Sequence, residues 1–182
     1  MAPRSGILGT LSRLLRTVTS TKTPTRVAAS GSSSSRGTQS RGHGGSTATI
    51  EIVPPPASKL RITYAPEMDG DPDAGEIVWT WVPYAENDGR GKDRPVLVIG
   101  RQNAERVYAV RLTSKARDGD RDYLPIGSGP WDSKGRPSWV DIDQLYSVHT
   151  TGMRREASAL DLDRFARIAQ ALQHRYGWSV GD

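Results

Sequence analysis

The chain reads as a mainly β protein: a small antiparallel barrel closed by one C-terminal helix and preceded by a low-complexity tail. Three observations carry that reading. Short runs of β-branched and aromatic residues recur from Gly75 to Thr150, separated by polar turns, with no helical repeat between them. One apolar stripe at three- and four-residue spacing follows, beginning near Leu160. Ahead of Gly75, small polar residues and breakers dominate, so residues 1–74 are expected to be tail and linker and residues 75–178 the barrel domain.

The first residues, from Ser5 to Val18, space Ile7, Leu8, Leu11, Leu14, Leu15 and Val18 along one face of a possible amphipathic helix, with Arg13 and Arg16 between them. An acid-poor start of this kind would also suit an organellar transit peptide or contact with anionic lipid. The expectation is a dispensable extension without a membrane role. Residues 24–49 are almost wholly Ser, Thr, Gly, Ala, Arg and Pro, with Val27 the only large aliphatic side chain. Such a segment buries too little apolar surface to offset its ordering entropy and is expected to be disordered.

Charge divides along the same boundary. The net charge is +5 overall, yet residues 1–60 carry eight Lys or Arg against Glu51 alone. The remaining residues carry 17 bases and 19 acids. The excess base therefore belongs to the tail, and any polyanion site on the domain must be local. The absence of cysteine excludes disulfides, zinc–thiolate sites and thiol nucleophiles. No apolar run approaches the length that spans a bilayer.

A Pro-rich hinge at 53–59 leads to an acidic stretch in which Asp69, Asp71 and Asp73 imitate the opening of a calcium loop. Ala74 stands where that loop needs Gly, and Thr80 where it needs a bidentate Glu, so a solvated linker is expected and no metal site. Strands are then predicted at 75–84, 94–100, 106–114, 122–127 and 138–142, with a sixth at 146–150. In the third, Val107, Ala109 and Arg111 alternate against Tyr108, Val110 and Leu112. Phe165, Ile168, Ala169, Leu172 and Tyr176 mark the buried stripe of the closing helix. Asp161 is its expected N-cap, Leu160 and Phe165 a hydrophobic staple, and Gly177 its end.

The run GRGKDRPVLVIG, residues 89–100, concentrates the chemistry. Val96 to Ile99 read as a strand buried on both faces, with Pro95 as its first residue and Arg94 at its mouth. A guanidinium held on a rigid sheet edge suits a two-pronged grip on phosphate.

In order, GEIVW, a charged Gly-rich loop, RPVLVIG, a strand ending LTS, SWVDIDQL and a C-terminal helix resemble the MazF/PemK toxins of bacterial toxin–antitoxin systems. The resemblance covers residues 75 to 178. It implies an SH3-like barrel of the MazF/PemK/CcdB kind that dimerises and cleaves single-stranded RNA at short motifs, without metal ion or cofactor, in the bacterial cytoplasm. It further implies a cognate antitoxin, with DNA reached only through the antitoxin complex. The family's catalytic pair falls on Arg94 and Thr113, with Ser114 beside it, and its Asp-Gln-hydrophobic signature on Asp143, Gln144 and Leu145. Two departures bear on RNA preference: Tyr146 and Ser147 follow that signature where a basic residue is common, and Gly127–Ser138 looks longer than its counterpart.

Metal-free cleavage needs a cation on the pentacoordinate phosphate, the role Arg94 fits best; a guanidinium is a poor free base in water, so proton transfer falls to Arg94 only as the resemblance implies. Thr113 can donate a hydrogen bond to phosphate oxygen. Glu86 and His149 are alternative acid–base groups. Arg90, Lys92, Lys115 and Arg117 are expected to track the RNA backbone. Of the aromatic residues, Trp81 and Tyr84 lie nearest the loop and are the expected stacking platforms. The competing reading is a non-catalytic member of the same barrel that binds nucleic acid or protein.

Overall fold

A computed structural model describes residues 42–67, 69–86 and 88–181. The amphipathic stretch 5–18 and most of the low-complexity segment lie outside them. In chain order the strands are β1 (Ile50–Ile52), β2 (Arg61–Ile62), β3 (Glu76–Pro83), β4 (Gly91–Arg101), β5 (Arg106–Thr113), β6 (Tyr123–Gly127), β7 (Ser138–Asp141), β8 (Leu145–His149) and β9 (Met153–Ala159). Helix α1 (Leu162–Tyr176) and the short β10 (Ser179–Val180) follow.

The main sheet runs β1-β8-β5-β4-β3-β9, all neighbours antiparallel, and curls into a half-barrel. A branch leaves it at β5, whose last two residues, Leu112 and Thr113, pair with β7, which in turn pairs with β6. β10 and β2 form a separate parallel pair. Among the described residues no helix is long and apolar enough to cross a membrane.

Alternation decides which side of the sheet each residue serves. Leu97 and Ile99 of β4 join Val110, Leu112, Phe165, Ile168 and Leu172 in a core beneath α1. Val96 and Val98 join Val107, Ala109, Tyr146 and Val148 in a second cluster on the opposite face of the sheet. Val96 to Ile99 are all fully buried, as the strand's unbroken apolar run predicts. Each large aliphatic side chain sequestered this way contributes about 2 kcal/mol. The helix ends are those the sequence marks. Asp161 accepts from the Arg164 amide at 3.0 Å, and Gly177, at φ 72°, closes the last turn by donating to Gln173 O.

Three differences from the sequence reading have physical causes. Residues 42–74 are not simply tail and linker: they add β1 to the β8 edge and bury Thr49, Leu60, Ile62 and Ala74. Composition hides this because the segment is anchored by polar contacts. The Thr49 and Thr80 hydroxyls meet at 2.7 Å, Arg106 donates to Ala48 O at 2.6 Å and to Ser46 O at 3.0 Å, and Trp178 Nε1 donates to Pro55 O at 3.0 Å. Strand β9 was not anticipated, since MRREASA lacks β-branched residues; as a charged edge beside β3 it needs none. Finally, β4 begins at Gly91, so Arg94 lies inside the strand opposite Thr80. Pro95 is tolerated there because pairing with β5 begins only at Val96, leaving that side of β4 without a ladder partner at Pro95.

Candidate functional site

The fork between β4 and the end of β5 creates the site. β4 continues back from Val96 through Pro95, Arg94, Asp93 and Lys92 along β3, while Leu112 and Thr113 turn away to β7. Between them opens a cavity of about 430 Å³ whose lining includes Arg94, Arg111, Thr113, Trp79 and Tyr123. Sheet alternation explains the grouping. Arg111 and Thr113 continue the row of Val107 and Ala109 on one face, and Arg94 continues that of Val98 and Val96, so this valine-lined face ends in cations where it reaches solvent.

The cavity holds more donors than acceptors. Arg94 Nε, Trp79 Nε1 and Arg117 Nε are each buried without a hydrogen-bond partner. Buried N–H groups of this kind are costly unless something accepts from them. Thr113 Oγ1 accepts from the Lys115 amide at 3.2 Å, which leaves its proton to give. The two carboxylates in the lining are engaged: Asp93 with Arg154 at 3.4 Å and Asp132 with Arg136 at 2.8 Å, the latter pair holding the Asp132 carboxyl below the usual range.

Arg111 is fixed from behind. Its Nε donates to Asp141 Oδ2 at 2.8 Å, and one Nη lies 2.7 Å from the same oxygen and 3.0 Å from the Tyr123 hydroxyl. The other carboxylate oxygen accepts from the Asp143 and Gln144 amides at 3.0 and 3.3 Å. Burial opposes the Arg111 charge, but Tyr146 and Asp141 outweigh it and raise its pKa. Burial, reinforced by Asp141, raises that of Tyr123, so both groups keep their protons at neutral pH. Burial likewise raises Tyr146, whose hydroxyl donates to Gln144 Oε1 at 3.0 Å.

Of the residues singled out from sequence, Arg94, Thr113, Ser114, Lys92, Lys115 and Arg117 line this cavity. Arg90 does not: it is exposed and pairs with Asp88 at 2.7 Å. Trp81 and Tyr84 lie in the wall of a different cavity, of about 920 Å³, with His43 and Gln144. Trp81 is 8% exposed and packs edge-on against His43, so its faces are largely covered; Trp79 takes the place beside Arg94 instead. His149 is turned to Thr151, whose amide it accepts from at 3.2 Å, and neither it nor Glu86 lines the Arg94 cavity. Asp143 pairs with Arg175 of α1 and Leu145 is core, so much of the Asp-Gln-Leu signature ties β8 to the helix. Arg111, Tyr123 and Asp141 were missed as site residues, although a lone arginine ending the apolar row Val107, Ala109, Arg111 is the signal that could have found them. Among the described residues no three His, Asp or Glu side chains gather so as to hold a metal ion.

The family described as PemK-like, MazF-like toxin of type II toxin-antitoxin system matches residues 73–175. No curated protein matches the chain. Among solved structures, a MazE–MazF crystal structure from Deinococcus radiodurans is 23% identical and covers 59% of this chain and 98% of its own, with a TM-score of 0.44. The Mycobacterium tuberculosis toxin MazF-mt6 is 18% identical over 57% of this chain and 98% of its own, at a TM-score of 0.42. An endoribonuclease from a mycobacterial species is 18% identical over 59% and 94%, also at 0.42.

Proposed function

The chain belongs to the PemK-like, MazF-like toxins of type II toxin–antitoxin systems, and on that premise we propose that it cleaves single-stranded RNA at the Arg94–Thr113 cavity without a metal ion. One observation carries the reading. Three buried donors, Arg94 Nε, Trp79 Nε1 and Arg117 Nε, lack acceptors in the lining of one open cavity. Phosphate oxygens are the acceptors that such a cationic set suits.

In this reaction the ribose 2′-oxygen attacks phosphorus, the bond to the 5′-oxygen breaks, and a 2′,3′-cyclic phosphate and a 5′-hydroxyl result. The 2′-proton leaves to solvent, because Asp93 and Asp132 are already paired with arginines, and the departing oxygen takes a proton back. Arg94 holds the charge that builds on the phosphorane, where an aimed cation lowers the barrier most. Thr113 donates its hydroxyl proton to a second phosphate oxygen. Trp79 offers the adjoining base a stacking face.

The family's place in toxin–antitoxin systems supports a cognate antitoxin as partner. An acidic antitoxin segment would compete with RNA for the same cations in the bacterial cytoplasm, with the toxin as a homodimer. The functional unit of this reading includes β1 and β2, which pair with β8 and β10.

Incubating the full chain with end-labelled single-stranded RNA in EDTA tests the proposal. Expected are cyclic-phosphate ends from the wild type and cleavage at least about 100-fold slower with Arg94→Ala. Absence of cleavage by the wild type, or equal cleavage by the variant, overturns it; RNA binding without cleavage would make the chain a binding module.

A further inference from the structure

The cavity contains a second guanidinium cluster that the reaction above does not use. Tyr123 is its pivot. Its hydroxyl accepts from Arg111 at 3.0 Å, and the Arg117 guanidinium carbon stands 4.5 Å from its ring centroid. Two like charges beside one small side chain are stable only with compensation, which is close for Arg111 and distant for Arg117. Asp141 has one oxygen committed to Arg111 and the other to two backbone amides. Asp120 reaches Arg117 only at 3.8 Å. What remains is donor capacity: Arg117 Nε is buried with no partner, and the Arg111 Nη that faces neither Asp141 nor Tyr123 makes no hydrogen bond among the described residues.

We propose that Arg111 and Arg117, held by Tyr123 and Asp141, form a second phosphate subsite that grips a phosphodiester of single-stranded RNA next to the one held by Arg94. This rests on the reading that the cavity binds RNA. The physical case is pre-organisation. A guanidinium locked by a buried carboxylate and a phenol loses little rotamer freedom on meeting phosphate, and it presents a planar fork rather than a mobile point charge. Two separated phosphate anchors also fix the direction and register of the strand, which places one 2′-hydroxyl beside Arg94 and Thr113.

The test is binding, which cleavage does not confound. A fluorescein-labelled 2′-O-methyl RNA hexanucleotide, unable to supply the nucleophile, is titrated with full-length protein by fluorescence anisotropy across a salt series. Arg111→Gln and Arg117→Gln are each expected to weaken binding about tenfold. Each is also expected to lower the slope of log K against log salt by about 0.7, the value for one lost phosphate contact on a single strand. Arg111→Lys keeps the slope and binds more weakly than wild type. Tyr123→Phe also weakens binding at an unchanged slope, because it removes the anchor and not the charge.

Wild-type slopes in both Gln variants overturn the subsite. Arg111→Gln strands Asp141, so each variant's thermal melt is followed by circular dichroism. If Arg111→Gln does not fold, Arg117→Gln and Tyr123→Phe decide the question. A lowered slope together with no cleavage of ordinary RNA would retain the subsite and sink the nuclease reading. Cleavage with unchanged slopes would do the reverse, and no binding of the hexanucleotide by wild type together with no cleavage of ordinary RNA would sink both.

Discussion

Replacing Asp141 by Asn separates the site's architecture from its chemistry. The Asp141 side chain is 2% exposed and that of Arg111 17%, and they meet at 2.7 Å. Asn is nearly isosteric and its Oδ1 still accepts from the Asp143 and Gln144 amides, so the β7–β8 turn survives. Its Nδ2, however, would then face Arg111 donor to donor, leaving a buried cation with only Tyr123 as partner. Breaking a buried ion pair from one side costs about 3 kcal/mol, which for a domain of this size lowers the melting temperature by roughly 10 °C. The assay is reversible thermal and urea unfolding of Asp141→Asn, Arg111→Met and the double variant. The double is expected to recover at least half of the loss, since an apolar side chain needs no counter-charge. A single variant within about 1 kcal/mol of wild type, or a double worse than the sum of the singles, would refute the assignment of Asp141 as the group that holds Arg111.

Other expectations are direct. Arg94→Lys keeps the charge but loses the fork, and initial-rate RNA cleavage should fall about tenfold or more, less than for alanine. Thr113→Ser should retain most activity and Thr113→Val, of the same shape without the donor, should lose roughly 100-fold in kcat at little change in melting temperature. His149→Ala, outside the cavity, should cleave within about twofold of wild type, measured in the same assay. Leu60 is 3% exposed in the core beneath the helix, and Leu60→Ala should cost about 2–5 kcal/mol in urea unfolding. A chain starting at residue 65, without β1, β2 and the buried Leu60 and Ile62, should lose cooperative unfolding.

Much of this was legible because it is local. Val96 to Ile99 form an apolar run that only a two-sided buried strand explains. Asp161, the 165–176 stripe and Gly177 specify a helix and both its ends through hydrogen bonds spanning a single turn. Arg94 stood out by its place at the mouth of an apolar strand, whereas Thr113 was joined to it through a family resemblance, not through spacing. Strand β9 escaped because an edge strand beside a formed sheet needs no propensity of its own. Trp81 and Tyr84 line a different cavity from the one expected, because proximity to a loop in sequence says nothing about which cavity a ring enters once the sheet curls.

The sequence alone determined a mainly β domain with a C-terminal helix, a basic segment set apart from a slightly acidic body, and a chain without thiol chemistry. These follow from composition and periodicity, properties of residues near one another along the chain. Tertiary structure alone decided that Ile50–Ile52 extend the main sheet, and that β5 forks from β4 to open a cavity. It also decided that Asp141, 30 residues away, fixes Arg111 there. Each depends on a long-range pairing register, which no local pattern encodes because both partners look like ordinary polar positions until the sheet brings them together.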